Sequence, residues 1–149
     1  PPGAVASAGA ALCPATTPAE AAAALAQTNG VRAAAGLAPL RLDARLQRAA
    51  EGHACDMARR GEMDHRGTAT TGPAARVKAQ GYRPQLTAEN IAAGARSVFD
   101  LGGTLQQFAA SPGHRANTTI RQMQDLGIGH AYSADGKSAF WAVVLADPR

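Results

Sequence analysis

The last third of the chain carries the pattern that most limits its fold. Two apolar runs rich in strand-forming residues, LGIGHAY and SAFWAVVLA, flank the short polar segment SADGK. Asp135-Gly136 within that segment is a strong signal for a tight hairpin turn. Ile128, Val143 and Val144 favour the extended conformation on either side of it. The sequence therefore predicts an antiparallel hairpin at this end of the chain.

Helical patterns occupy the part of the chain before the hairpin. Thr17-Pro18 marks a helix start at which Glu20 completes a capping box. Residues 44–60 repeat apolar side chains at helical spacing. Three shorter helices are predicted after Pro73, Asp100 and Ser111. Because helices come first and the hairpin last, the predicted fold class is α+β.

Length and composition indicate one folded unit with an extension before it. A chain of 149 residues that is 46% hydrophobic has the size of a single domain and is too apolar for a disordered chain. Residues 1–16 are small and Pro-containing, so we expect an extended arm there and a domain over 17–149. The stretch AVASAGAALCPATT is typical of a linker or of the end of a removed signal peptide, which favours a secreted or periplasmic protein. No run approaches the roughly 20 apolar residues of a membrane span.

The basic charge of the chain does not indicate nucleic-acid binding. The net charge is +4 and the isoelectric point is about 9.7. However, the arginines are scattered from Arg32 to Arg149 with acidic residues between them. No aromatic residues that could stack on bases are interleaved with the densest basic points. We therefore predict a solvated basic surface and no nucleic-acid partner.

The two cysteines, Cys13 and Cys55, have two possible states. Each could be a buried thiol, and the small and charged neighbours of Cys55 permit that interpretation. An even number of cysteines after a processed-looking N-terminal segment favours one disulfide. The bridge would attach the arm to the second helix and stabilise the fold by up to about 4 kcal/mol.

A carboxylate beside an apolar run marks the candidate site. Glu89-Asn90 lies directly against Ile91-Ala92-Ala93, so an ionised group is expected at the edge of the core, where it needs a partner. His65 and His114 lie in loops or at element ends and could supply that partner. Two imidazoles and one carboxylate can ligate a divalent metal, zinc above all. They can equally form a hydrogen-bonded cluster in which an imidazolium pairs with Glu89. The spacing of the three residues does not decide between the two.

Other polar residues give weaker signals. Ser111 precedes His114 by three residues, but no G-x-S-x-G motif supports a nucleophile, and an N-cap serine uses its hydroxyl on a backbone N–H. His53 lies on an apolar helix face and is interpreted as a core histidine. His130 is interpreted as an exposed strand side chain. Gly127 and Gly129 are interpreted as strand punctuation, because no helix follows them as in a phosphate-binding loop.

Five segments, in this order, resemble one known family. They are TNGVRAAAGLAPLRLD, AAEGHACDMARRGEMDH, GYRPQLTAENIAAG, FAASPGHRAN and LGIGHAYSADGKSAFWAVVLA. The chain resembles the SCP/CAP superfamily of cysteine-rich secretory, antigen 5 and pathogenesis-related proteins, in its short bacterial form. The resemblance runs from about Pro18 to Ala146. It implies an α-β-α sandwich with a central antiparallel sheet of about three strands.

The resemblance also implies a site. Members of this superfamily have a cavity with two histidines and two acids, which in some of them binds zinc or another divalent ion. His65, Glu89 and His114 match three of those positions, whereas the second acid has no counterpart. The resemblance therefore implies a weak or optional metal. Two neighbours are expected to support the cavity: Asp64 as a hydrogen-bond acceptor and Asn90 through hydrogen bonds to backbone.

Three functions follow as expectations. The first is a secreted, monomeric domain that binds a small molecule, a lipid or a cell-envelope component at the His/Glu cavity without robust catalysis. The second is a zinc-dependent extracellular hydrolase of peptides or cell-wall material. In that case His65 and His114 would ligate the metal, Glu89 would be a base, and Ser111 could polarise the substrate. The third is a structural or adhesion module.

Overall fold

A four-stranded sheet lies between two layers of helices in the computed structural model, which describes residues 3–149. The strands are β1 (Gly3–Ala4), β2 (Arg41–Leu42), β3 (Glu62–Met63), β4 (Pro84–Ala95), β5 (Asp125–Tyr132) and β6 (Ser138–Pro148). The helices are α1 (Pro18–Ala34), α2 (Ala44–Arg60), α3 (Pro73–Ala79), α4 (Leu101–Ala110) and α5 (Pro112–Thr118).

The sheet has the order β2-β5-β6-β4, with β4 at one edge. The predicted hairpin is confirmed, since β5 and β6 pair antiparallel on either side of the turn at Gly136. Strand β4 pairs antiparallel with β6, and Glu89 lies opposite Val144. The two residues of β2 add a short parallel strand beside β5. The predicted central sheet of three antiparallel strands is therefore present, with one short strand added.

Alternating side chains on the central strand β6 divide the core into two halves. Its even-numbered core residues, such as Phe140 and Val144, pack with α2, whereas Trp141 and Val143 pack with residues of α1 and α4. Successive side chains of a strand point to opposite faces, so a strand that is apolar at every position needs cover on both sides. This pattern produces the α-β-α sandwich.

Two glycines of β5 allow α2 to lie directly on the sheet. A Cβ added at Gly127 would come within 2.2 Å of the backbone of Leu46, and one added at Gly129 would come within 2.3 Å of the backbone nitrogen of Glu51. Both positions therefore need a residue without a side chain. These two glycines therefore allow the close packing of helix on strand, a more specific role than the strand interruption expected from the sequence.

Helix ends follow the sequence with one exception. Thr17 and Glu20 form the predicted capping box of α1, and Asp43 caps α2. Gly61 ends α2 in the left-handed conformation, with φ 69°. Ser111 lies between α4 and α5, but its side chain makes no capping hydrogen bond within the described part of the chain. The expected use of its hydroxyl as an N-cap is wrong.

The arm before α1 is held against the domain. Strand β1 pairs with β3, Leu12 bridges to Tyr132, and Cys13 forms a disulfide with Cys55, which confirms the bridge. Residues 1 and 2 of the predicted arm lie outside the described residues. The division into an arm over 1–16 and a domain over 17–149 stays a prediction.

His130 is buried, so its interpretation as an exposed strand side chain is wrong. Only 5% of the residue is accessible, because β5 is an interior strand with helices on both faces. Its ring stacks on Trp141 with centroids 4.6 Å apart, and its Nε2 lies 3.8 Å from the Glu20 carboxylate. Burial lowers the pKa of His130, and the negative charge of Glu20 opposes this effect.

Candidate functional site

Strand β4 sends the two polar residues of the ENIA segment to opposite faces of the sheet. Ile91 belongs to the core half that contains α2, and Glu89 shares its face because side chains two apart in a strand point the same way. Asn90 points to the other face, where it contacts α5. Both side chains are nearly inaccessible, since Glu89 is 4% and Asn90 1% exposed.

The buried Glu89 carboxylate is paired with an arginine. Arg76 Nη2 donates to Glu89 Oε2 at 2.6 Å, and the side chain of Arg76 is 8% exposed. Its Nη1 donates to the carbonyl of His65 at 2.9 Å and to Thr70 Oγ1 at 3.0 Å. Since a guanidinium is always charged in proteins, Arg76 supplies the positive charge that the sequence analysis assigned to an imidazolium.

His65 uses the second oxygen of the same carboxylate. Its Nδ1 lies 2.9 Å from Glu89 Oε1, and its side chain is 54% exposed. A carboxylate only accepts hydrogen bonds, so Nδ1 must carry a proton. In the neutral ring Nε2 therefore keeps its lone pair. The buried Glu89 carboxylate thus fixes the orientation of the His65 ring, and the ring stays accessible to solvent.

His53 completes this group on the inner side. Its Nε2 donates to the Asp64 carbonyl at 2.7 Å and lies 3.7 Å from Glu89 Oε1. Burial lowers the pKa of His53, an effect that Glu89 opposes and Arg76 reinforces. The buried Nδ1 has no hydrogen-bond partner within residues 3–149. We call His53, His65, Arg76 and Glu89 the Glu89 cluster.

His114 lies beside the edge strand on α5, and Asn90 connects it to the sheet. Asn90 Nδ2 donates to the His114 carbonyl at 3.1 Å, which is the backbone bond expected of this asparagine. Asn117 donates to both Asn90 Oδ1, at 2.9 Å, and the Glu89 carbonyl, at 3.3 Å. The helix is thus hydrogen-bonded to two consecutive residues of β4.

The ring of His114 contacts a neighbouring aromatic side chain. It packs against Phe108 with ring centroids 4.9 Å apart. Burial lowers the pKa of His114, a backbone hydrogen bond with Ile91 opposes this effect, and the charge of His65 adds to the lowering. The pKa of His114 is thus shifted in the direction that disfavours the imidazolium considered for this cluster.

The two remaining site candidates contribute little through their side chains. The Asp64 carboxylate accepts the backbone N–H of Arg66, whereas its carbonyl accepts from His53. Asp64 thus orients His53 through its backbone, and its predicted side-chain support of His65 is not what the contacts show. Ser111 is half-buried at the α4–α5 junction.

The donor set does not fit a tightly held divalent metal. Across residues 3–149, no group of three or more His, Cys, Asp or Glu side chains is arranged to hold an ion. Arg76 already occupies Glu89 Oε2, and a guanidinium beside a carboxylate repels a second cation. Zinc binding by His65, Glu89 and His114 stays a prediction that this arrangement does not favour.

A cavity of about 230 Å³ lies between α2, α3 and the loop at residues 68–70. His53 and Arg76 form part of its wall, together with apolar positions such as Ala49 and Ala79. His65, Glu89 and His114 do not line it. The cavity therefore borders the Glu89 cluster at His53 and Arg76 and does not include His65.

Two members of the cluster were missed by the sequence analysis. His53 was interpreted as a core histidine, although a buried imidazole on a helix face also needs a polar partner. Arg76 was not singled out. The sequence offered no specific signal for it, since Arg76 lies on a short helix 13 residues before Glu89.

Comparison with known proteins gives relatives with the same architecture. The chain is 28% identical over 106 residues to the uncharacterized protein YkwD of Bacillus subtilis, covering 71% of this chain and 40% of that protein. A crystal structure of an extracellular protein with an SCP domain from Bacillus anthracis superposes with a TM-score of 0.73 at 26% identity, covering 87% of this chain and 40% of that one. The chain thus spans about 40% of the length of these two relatives. An outer surface protein of Borrelia burgdorferi has a TM-score of 0.74 at 18% identity, with 89% and 96% coverage, and shows the same fold.

The family assignment rests on a match along most of the chain. The sequence model of the cysteine-rich secretory protein family, CAP, matches residues 25–145. This range includes β5, most of β6, the disulfide-bonded α2 and all four residues of the Glu89 cluster. The chain belongs to the CAP family.

Proposed function

We propose that this chain is an extracytoplasmic ligand-binding domain that recognises its ligand through the exposed face of His65. The proposal rests on the difference in solvent exposure between the two side chains that share one hydrogen bond. Glu89 is buried and paired with Arg76, whereas the His65 ring that it orients is 54% exposed. A buried ion pair is costly to desolvate, so its use to fix an accessible imidazole favours recognition over a purely structural tie.

The chemistry of the exposed face defines the class of ligand. With Nδ1 hydrogen-bonded to Glu89, the neutral ring offers Nε2 as an acceptor. The ligand must therefore present a hydroxyl or an amide N–H, and both are abundant in cell-envelope glycans and peptides. The extracellular and outer-surface relatives support a place outside the cytoplasm. The described residues contain no helix that is both long and apolar enough to span a bilayer.

Two named probes test this proposal by NMR. Side-chain ¹⁵N signals of His65 would be followed during titration with the trisaccharide of N-acetylglucosamine and with solubilised peptidoglycan fragments. We expect a saturable shift of His65 Nε2 with at least one probe, and loss of binding in His65→Phe. Arg66→Ala is the matched control, because it changes the adjacent exposed side chain and leaves the Glu89 cluster intact.

Two outcomes would replace the proposal. No shift with either probe, together with a large loss of stability in His65→Phe, would assign the cluster a structural role. Probe-induced shifts confined to Thr68, Thr70 and Ala79 would place the ligand in the 230 Å³ cavity instead.

A hydrolase is the second candidate, because an imidazole oriented by a carboxylate is also the arrangement of a general base. Hydrolysis of p-nitrophenyl acetate that disappears in His65→Phe and persists in Arg66→Ala would support it. Turnover that is equal in the two variants would leave the binding proposal as the better account.

A further inference from the structure

The Glu89 carboxylate is fully engaged by groups of the chain itself. Oε2 accepts from Arg76 Nη2 at 2.6 Å, and Oε1 accepts from His65 Nδ1 at 2.9 Å. His53 Nε2 approaches Oε1 to 3.7 Å. The negative charge of Glu89 and the permanent positive charge of Arg76 balance each other. A divalent ion at this carboxylate would have to displace a hydrogen-bonded guanidinium and would leave an excess of buried positive charge.

Arg76 also performs the positioning that a metal would otherwise perform. Its Nη2 fixes Glu89, and its Nη1 donates to the His65 carbonyl and to Thr70 Oγ1. It therefore connects β4 to the loop that carries His65. A metal held by His65 and Glu89 would connect the same two segments. Arg76 reaches them from α3 with a planar, multiply donating group.

We propose that Arg76 takes the place of a divalent cation in the Glu89 cluster, so that the site is organised without metal. The predicted metal set of His65, Glu89 and His114 lacks a second acid, and the guanidinium occupies the carboxylate on which such a metal would depend. The inference concerns metal dependence and is independent of the identity of the ligand. Its failure is therefore distinguishable from failure of the binding proposal.

Wild-type protein gives the first test. Titration calorimetry with ZnCl₂ and MnCl₂ would compare wild type with His65→Ala. We expect no component of metal binding that depends on His65. Both cysteines are in the disulfide, so thiol coordination does not complicate the titration. Binding of one equivalent of metal that is lost in His65→Ala would overturn the proposal.

Removal of the guanidinium gives the second test. In Arg76→Met the buried Glu89 carboxylate loses its counter-ion, and a divalent ion becomes its best available partner. We expect lower stability without metal and a Tm rise of roughly 8 °C when ZnCl₂ exceeds its Kd a hundredfold. The double variant Arg76→Met/Glu89→Gln removes both charges, so its Tm should be insensitive to metal. Arg45→Met is the matched control, because Arg45 pairs with Asp43 at a more exposed site.

The second test still gives an answer if Arg76→Met does not fold. If Arg76→Met is unfolded alone, folding on addition of zinc supports the proposal. If it stays unfolded with zinc, Arg76→Gln, which can keep one hydrogen bond without the charge, takes its place. A folded Arg76→Met or Arg76→Gln whose Tm responds to zinc no more than that of Arg45→Met would overturn the inference.

Discussion

Substitution of Gly129 by alanine tests how the fold places the site. A Cβ at this position would lie 2.3 Å from Glu51 N, 2.4 Å from Glu51 Cα and 2.6 Å from the Ala50 carbonyl carbon. Ordinary contacts between such atoms are about 3.5–4.0 Å, so α2 must retreat from β5 by about 1 Å. Overpacking of this kind costs about 1–3 kcal/mol, and the reduced entropy of the unfolded chain offsets part of that cost.

We therefore expect Gly129→Ala to lower the free energy of unfolding by about 2 kcal/mol, which corresponds to a Tm decrease of roughly 4–8 °C for a chain of this size. Urea denaturation would measure the change. The matched control is Gly52→Ala on α2 itself, where no described atom outside the helix backbone and the two chain neighbours lies within 4 Å of the added Cβ. That control should gain about 0.5–1 kcal/mol, because alanine is the better helix former.

The same substitution should be visible at the site. Helix α2 carries His53, whose Nε2 is placed 2.7 Å from the Asp64 carbonyl and 3.7 Å from Glu89. A retreat of α2 by about 1 Å would change the imidazole NMR signals of His53, whereas Gly52→Ala should leave them unchanged. A Gly129→Ala protein with wild-type stability and wild-type His53 signals would refute the view that glycine is needed for this contact.

Three further predictions concern stability. Reduction of the Cys13–Cys55 bridge, which closes a separation of 42 residues, should lower the free energy of unfolding by about 4 kcal/mol. Thermal unfolding with and without dithiothreitol measures this change. The Tm of the control Cys13→Ser/Cys55→Ser should not change with dithiothreitol. Arg32 is fully buried and its guanidinium donates to several backbone carbonyls. Arg32→Lys should therefore lower the free energy of unfolding, measured by urea denaturation, by about 3 kcal/mol. A decrease below about 1 kcal/mol would contradict this prediction. Burial lowers the pKa of His53 and of His130, so the unfolded chain takes up protons first and stability should fall as pH drops below about 6.5. His130→Phe should reduce the difference between urea midpoints at pH values of about 7.5 and about 5.5, and an unchanged difference would contradict the lowered pKa.

Features that depend on neighbours in sequence were predictable. The capping box at Thr17 and the hairpin at Gly136 each involve residues within a few positions of one another, and both are present. The continuous apolar run of β6 indicates a strand covered on both faces, and the family resemblance supplied the order of the layers. The disulfide was favoured by the even number of cysteines, and its bond is present.

The partners of Glu89 required the tertiary structure. The carboxylate was recognisable from its apolar surroundings, but its contacts come from α2, from the loop after β3 and from α3. Those contacts are 13–36 residues away along the chain, and no spacing rule connects them. The sequence analysis assigned the positive charge to histidine because two histidines lay in loops or at element ends. Packing instead placed Arg76 Nη2 2.6 Å from Glu89 Oε2.

The amino-acid sequence by itself indicated the helices and the terminal hairpin, because caps, turns and apolar periods act over a few residues, whereas it did not assign strand β4. It also determined that one ionisable group would be buried at the margin of the core. Only the tertiary structure decided which charge neutralises Glu89 and which histidine stays accessible, since these depend on how distant surfaces pack. Successive side chains of strand β4 point to opposite faces of the sheet. Glu89 and Asn90 are adjacent in the chain, and Glu89 therefore contacts α3 whereas Asn90 contacts α5.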